Sequence, residues 1–212
     1  MRLQMLEYPE SNFSANTYLL IDDLNNVIVI DPGFPGSDLT NQLLAQGMNV
    51  KAILLTHTHY DHMRGVIPLV EAFECPVYAH HLDVLLFENE NFHKFYTDAD
   101  NLKLPNNIIT VENDETLTIL NTEIKVIHTP FHTRGSVLYV IPALNSVFSG
   151  DTLFKGSIGR LDLFGSAPLE LTSSLETIKK LPKSFNVFPG HGDATTIEAE
   201  LKSNPYLGGS YI

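Results

Sequence analysis

An apolar run, Val50-Lys-Ala-Ile-Leu-Leu-Thr56, leads without a turn into His57-Thr-His-Tyr-Asp-His62. A run of that length and character reads as a strand covered on both faces. The fold must therefore bury this strand between layers and still bring three imidazoles and a carboxylate to its far end. Imidazole nitrogen and carboxylate oxygen suit zinc, iron, manganese or cobalt, and a cluster without cysteine argues against a purely structural zinc. His57 and His59 are two residues apart, so on extended backbone they point to the same side and can hold one ion. Asp61 and His62 come after the strand, where a turn can swing them toward a second ion. Four donors within six residues crowd a single tetrahedral ion, so the spacing points to two. A histidine-rich loop that binds nothing is the alternative, but its place behind a buried strand argues against it.

The rest of the chain predicts a mixed α/β domain of stacked layers. Thr17–Ile21 and Asn26–Ile30 read as a hairpin. Ser37 to Gly47 reads as a helix capped by Ser37, with Leu39, Leu43 and Leu44 on one face. Helix patterns follow in 65–73, in 167–181 and in 195–204. Strand patterns follow in 76–80, 108–111, 123–128, 136–141, 146–150 and 185–190. The irregular stretch 80–107 is long enough to form a lid over a site. Nothing divides the chain, so one domain spanning residues 1–212 is expected.

Composition narrows the partners. Thirteen basic against 25 acidic residues give a net charge of −12. That balance argues against nucleic acid or an anionic membrane surface as partner, both of which need a basic footprint. No run approaches a membrane span, and the N-terminus lacks the apolar core of a signal peptide, so a cytoplasmic protein is expected. The single cysteine, Cys75, permits no internal disulfide and reads as a small packed residue.

Further donors occur where other strands stop: His132 in "TPFHTRGS", Asp151 in "VFSGDTLF" and His191 in "VFPGHGD". Together with "HTHYDH" and "GDTLFKGSIGRLDL", these resemble the successive motifs of the metallo-β-lactamase-fold hydrolases. The likeness is strongest to the short, single-domain relatives of glyoxalase II (hydroxyacylglutathione hydrolase). It runs from about Asn16 to Pro205. The resemblance implies a four-layer αβ/βα sandwich with a binuclear metal site at one edge of the sheets. It implies that His57, His59 and His132 serve one metal, that Asp61, His62 and His191 serve the other, and that Asp151 bridges them. The cofactors are then two divalent ions, zinc first, with iron or manganese as alternatives.

The implied chemistry is attack on a carbonyl by a hydroxide shared between the ions, since two divalent ions lower the pKa of bound water to roughly 7. The substrate would be a small molecule, a thioester above all, with Asp61 and Asp151 as the catalytic carboxylates. Persulfide dioxygenase or lactonase activity on the same fold is the alternative. Asp31 in "IDPG" matches a family loop beside the metals and is a candidate for orienting a ligand. Arg160, Arg134 and Lys155 are candidate anchors for a substrate carboxylate, with Arg64 behind them. The sequence departs from the family in "FHTRG", where Gly-His-Thr-Pro-Gly is usual, so Phe131 either narrows the pocket or packs. His128, four residues before His132, is the nearest competitor for its place. His80 and His81 read as a helix start, His93 as part of the irregular segment, and Tyr60 and Tyr96 as pocket or core aromatics.

Overall fold

The computed structural model describes residues 1–7, 14–89, 92 and 103–208. The expected hairpin is present: β2 (Thr17–Ile21) pairs antiparallel with β3 (Asn26–Ile30), Tyr18 opposite Ile30. Its turn is set by Asp22, whose carboxylate accepts the N–H groups of Leu24 and Asn26 at 2.8 Å each. β1 (Arg2–Leu6) joins the outer edge of β2, while β4 (Asn49–Leu54), β5 (Val77–His80) and β6 (Ile108–Val111) continue in parallel from β3. The result is a six-stranded sheet in the order β1 to β6.

A second six-stranded sheet holds β7 (Thr116–Ile119), β8 (Thr122–His128), β9 (Val137–Ile141), β10 (Ser146–Gly150), β13 (Asn186–Pro189) and β14 (Thr195–Thr196). A small ribbon of β11 (Leu153–Phe154) and β12 (Ser157–Ile158) lies beside it.

Alternation along the strands builds the layers. Tyr18, Leu20, Ile28, Ile30, Ala52 and Leu54 of the first sheet pack against Ile124, Val126, Tyr139, Ile141 and Phe148 of the second. Their neighbours Leu19, Ile21, Val27, Val29 and Ile53 face the other way, onto α1 (Asp38–Ala45) and α3 (Val66–Phe73). Leu138, Val140, Val147 and Val187 turn outward from the second sheet, onto α5 (Leu171–Ile178) and α6 (Ile197–Ser203). Helix, sheet, sheet, helix is the four-layer sandwich that the resemblance implied.

Three local expectations need correction. Leu44 is 53% exposed, because a step of one residue turns a helix by about 100°, so only Leu39 and Leu43 reach the sheet. Ser37 stands at the cap position of α1 but its side chain makes no capping bond. β4 is covered on both faces only from Ala52 onward, with Asn49 and Lys51 exposed at its start. His93, Tyr96 and the middle of the predicted lid (90–91 and 93–102) fall outside the described residues. No helix among the described residues is long and apolar enough to cross a membrane.

Candidate metal centre

The ends of β3, β4, β8, β10 and β13 converge on one edge of the sandwich, and each delivers a polar side chain there. Beyond β4 the backbone bends at Thr56 and runs to His59, which is extended (φ −66°, ψ 149°), then turns into the short helix α2 (Tyr60–Met63). His57 and His59 therefore leave the chain on one side, while Asp61 and His62 swing away on the first helical turn. Gly150, just before Asp151, has φ +48°, and a β-carbon there would strike the Thr56 side chain. The Gly190 N–H donates to the Gly150 carbonyl at 2.8 Å, tying the Asp151 and His191 loops together. Asn16 and Tyr18 hold that second loop from the first sheet, both donating to the Pro189 carbonyl (3.1 and 2.6 Å).

The seven donors expected from the sequence come together in two groups, which His57 links by also lying with His62 and Asp151. Ligand atoms of His57, His59 and His132 lie within 4.8 Å of one another, as do those of Asp61, His62 and His191. Asp151 stands between the groups. Its Oδ2 is 3.5 Å from His132 Nε2, and its Oδ1 is 3.3 Å from His62 Nε2 and 3.6 Å from His191 Nε2. Asp61 Oδ2 is 2.9 Å from His191 Nε2.

Outer hydrogen bonds decide which ring nitrogen is free to bind. His132 Nδ1 donates to the Arg160 carbonyl at 3.0 Å, which leaves Nε2 as a lone pair facing the cluster. Thr56 Oγ1 donates to Asp31 Oδ2 at 2.7 Å, so it accepts from His57 Nδ1 at 3.1 Å. His57 Nε2 then carries a lone pair, and it is buried with no hydrogen-bond partner. A buried imidazole lone pair aimed into a nest of other nitrogens and carboxylates is what a resident cation would satisfy. The residues fit a metal pair.

Electrostatics divides the two groups. Burial, reinforced by neighbouring imidazoles, pulls His57 well below the ordinary histidine pKa. Burial and His132 bring His59 down to about 3. Burial also lowers His132, although Asp151 works against it. These three are held neutral, the form in which imidazole donates to a metal. His62 is different: burial lowers it, but Asp61, Asp151 and Asp31 outweigh burial and raise it well above the usual value.

The remaining candidates sort themselves by contact. Asp31 is buried, and its Oδ2 lies 3.0 Å from His62 Nδ1. Arg160 offers the cluster its carbonyl, while its guanidinium pairs with Asp162 at the surface (2.9 Å). Lys155 pairs with Asp193 at 2.9 Å, also at the surface. Arg64 donates to Ser14 and lies over the Tyr60 ring. Arg134 is exposed and, with Leu82, Leu85, Leu86, Asn89, Phe164 and Gly165, lines a cavity of about 300 Å³. Phe131 packs into the core under α5 rather than into the site.

His128 ends β8 but stacks on His80 at 4.0 Å, apart from the two donor groups. His80, His81 and Glu112 form a further cluster at the start of α4 (His81–Phe87). There His80 Nδ1 accepts the Leu82 N–H, and burial with the neighbouring His128 and His81 brings its pKa down to about 3, so His80 is a neutral ring whose remaining proton sits on Nε2, facing Glu112. Sequence reasoning missed Asp83 on the same helix, whose carboxylate is fully buried beside the ligand loops.

Comparison with known proteins agrees with this geometry. A family model described as the metallo-beta-lactamase superfamily matches residues 11–191. Hydroxyacylglutathione hydrolase GloC of Haemophilus influenzae is 33% identical over 204 residues, 94% of this chain and 95% of that one. Among solved structures, the BLEG-1 B3 metallo-beta-lactamase is 33% identical with a TM-score of 0.84, covering 98% of this chain and 100% of its own. A protein solved in a di-iron-bound form, TTHA1623, is 36% identical with a TM-score of 0.81, covering 98% of this chain and 100% of its own.

Proposed function

This chain belongs to the metallo-β-lactamase superfamily, and from that premise we propose that it is a binuclear metal-dependent hydrolase that cleaves a small-molecule thioester of the hydroxyacylglutathione kind. The observation that carries the reading is the position of Asp151, one carboxylate oxygen toward the His57/His59/His132 group and the other toward His62 and His191. The likeness to GloC supports the thioester as the bond attacked.

In this reading His57, His59 and His132 hold one divalent ion, Asp61, His62 and His191 hold the other, and Asp151 is shared. When bound, such ions supply an activated water and an electrophile for the developing oxyanion. The chain's own side chains do the positioning. Burial pushes the Asp61 carboxyl up, but His62 and His191 outweigh it and keep the group below the ordinary carboxylate range. Asp61 is therefore an acceptor at neutral pH and, being partly exposed, can orient an attacking water. The departing thiolate needs little protonation, so no strong general acid is required. A thiol nucleophile is not used: Cys75 packs in the apolar core behind β4 and β5, and burial raises it to about 11.

Zinc and iron both suit the donor set. Elemental analysis of purified protein, alongside turnover of S-lactoylglutathione, a smaller thioester and a β-lactam, tests the proposal. Two metals per chain with thioester cleavage are expected. One metal per chain with no thioester cleavage would overturn it, and β-lactam cleavage alone would replace thioester by lactam in the reading.

A further inference from the structure

Nothing in the sequence marks Asp83, yet its carboxylate joins the two loops that supply the three-histidine group. Oδ2 accepts the Thr58 N–H at 2.8 Å and the Thr133 hydroxyl at 3.0 Å, and Oδ1 accepts the Gly135 N–H at 2.7 Å. The Asp83 carbonyl accepts the Thr58 hydroxyl as well, at 3.1 Å. Thr58 is the residue between His57 and His59, while Thr133 and Gly135 follow His132 by one and three residues. The first loop leaves β4 of one sheet and the second joins β8 to β9 of the other, so one side chain spans both sheets at the metal end.

The surroundings are shaped for this contact. A β-carbon on Gly135 would lie 2.6 Å from both the backbone nitrogen and Oδ1 of Asp83. Thr133 is held in turn by Ser136, whose hydroxyl is 2.7 Å from its own and 3.0 Å from its backbone nitrogen. Thr133, Gly135 and Ser136 in the sequence after His132 are thereby accounted for. Filling space alone would favour an apolar residue, because a buried carboxylate is costly unless fully hydrogen-bonded.

We propose that Asp83 is the positioning residue of the three-histidine subsite, fixing the His57–His59 loop relative to His132 at the separation one metal ion requires. This rests on the binuclear reading above, and the experiment separates the two. Full-length protein is loaded with Co²⁺, its metal content and cobalt absorption bands are recorded, and it is back-titrated with a chelator. Wild type should release two ions. In Asp83→Asn an amide NH₂ replaces one accepting oxygen, and one of the two ions should be released about 10–100-fold more easily, the range for loss of an outer partner. The other ion, on Asp61, His62 and His191, should keep its affinity to within about threefold. Thr133→Val removes one bond without touching the charge and should weaken the same ion by a smaller factor, which covers the case in which Asp83→Asn does not fold.

Unchanged release of both ions from Asp83→Asn, or equal weakening of both, would overturn this proposal while leaving the binuclear reading intact. Wild type that holds fewer than two ions would overturn both.

Discussion

Asp31 Oδ2 lies 3.0 Å from His62 Nδ1 and also accepts the Thr56 hydroxyl, which in turn meets His57 Nδ1. One buried carboxylate therefore orients a ring in each donor group, directly in one case and through a hydroxyl in the other. Asp31→Asn should weaken both metal positions by about 10–100-fold. Thr56→Val should weaken only the position that uses His57. Chelator competition followed by elemental analysis checks this, and a Thr56 variant that weakened both positions equally would contradict the relay.

Because the two donor groups have separate members, single ligand changes should separate them. His59→Ala belongs to the first group only and His191→Ala to the second only. Each variant is expected to retain one tightly held ion, and Asp151→Ala to weaken both, since its oxygens face both groups. Thioester turnover should fall by at least about 100-fold in all three variants, a loss of about 2.7 kcal/mol in barrier lowering. Metal counts per chain beside steady-state rates make the comparison. Full activity with one ion per chain would show that the second is dispensable.

The site was more legible than its supports. Metal-binding side chains are rare and chemically distinctive, so His57, His59, Asp61, His62, His132, Asp151 and His191 stand out in the sequence wherever strands end. Asp83 does not stand out, because an aspartate in the first turn of a helix is ordinary and only the folded contacts show that it reaches two distant loops. Alternation placed most strands, but β1 and the two-residue strands β11, β12 and β14 were missed, and so was β7. It has four residues and turns into β8 through Leu120 and Asn121, both at positive φ (50° and 56°), where a glycine would have signalled the turn. Arg160 misleads for a related reason: the sequence names the guanidinium, whereas the fold uses the carbonyl.

That difference predicts which cation matters for substrate. Arg134 follows His132 by two residues and lines the cavity with Leu82, Leu86 and Phe164, whereas the Arg160 side chain is bound to Asp162. A charged hydrogen bond to a substrate carboxylate contributes about 1.5–3 kcal/mol. Arg134→Ala should therefore raise KM for an anionic thioester by roughly 10–100-fold, with kcat and the KM for a neutral thioester little changed. Arg160→Ala should change either KM by less than about threefold, as expected for an exposed pair. The reverse ranking would move the anionic end of the substrate to the Arg160 side.

Asp83 also makes a prediction about pH. Burial raises its carboxyl from 3.8 to about 6, while the N–H and hydroxyl donors from Thr58, Thr133 and Gly135 oppose the shift. The folded protein then binds this proton more tightly than the unfolded chain does. The linked stability is fully present below pH 3.8 and is lost as pH rises through about 6. A shift of about two units corresponds to about 3 kcal/mol. Asparagine does not titrate, so the comparison with Asp83→Asn isolates this group from the histidines. Unfolding free energies of the two metal-free proteins should be measured by denaturant titration from pH 4 to pH 8. The wild-type value minus the variant value should rise by about 2 kcal/mol between pH 7 and pH 4, most of the full difference. A difference that stayed flat would mean that the three donors keep Asp83 ionised throughout, and one that fell would mean that they hold its carboxyl below the ordinary aspartate range.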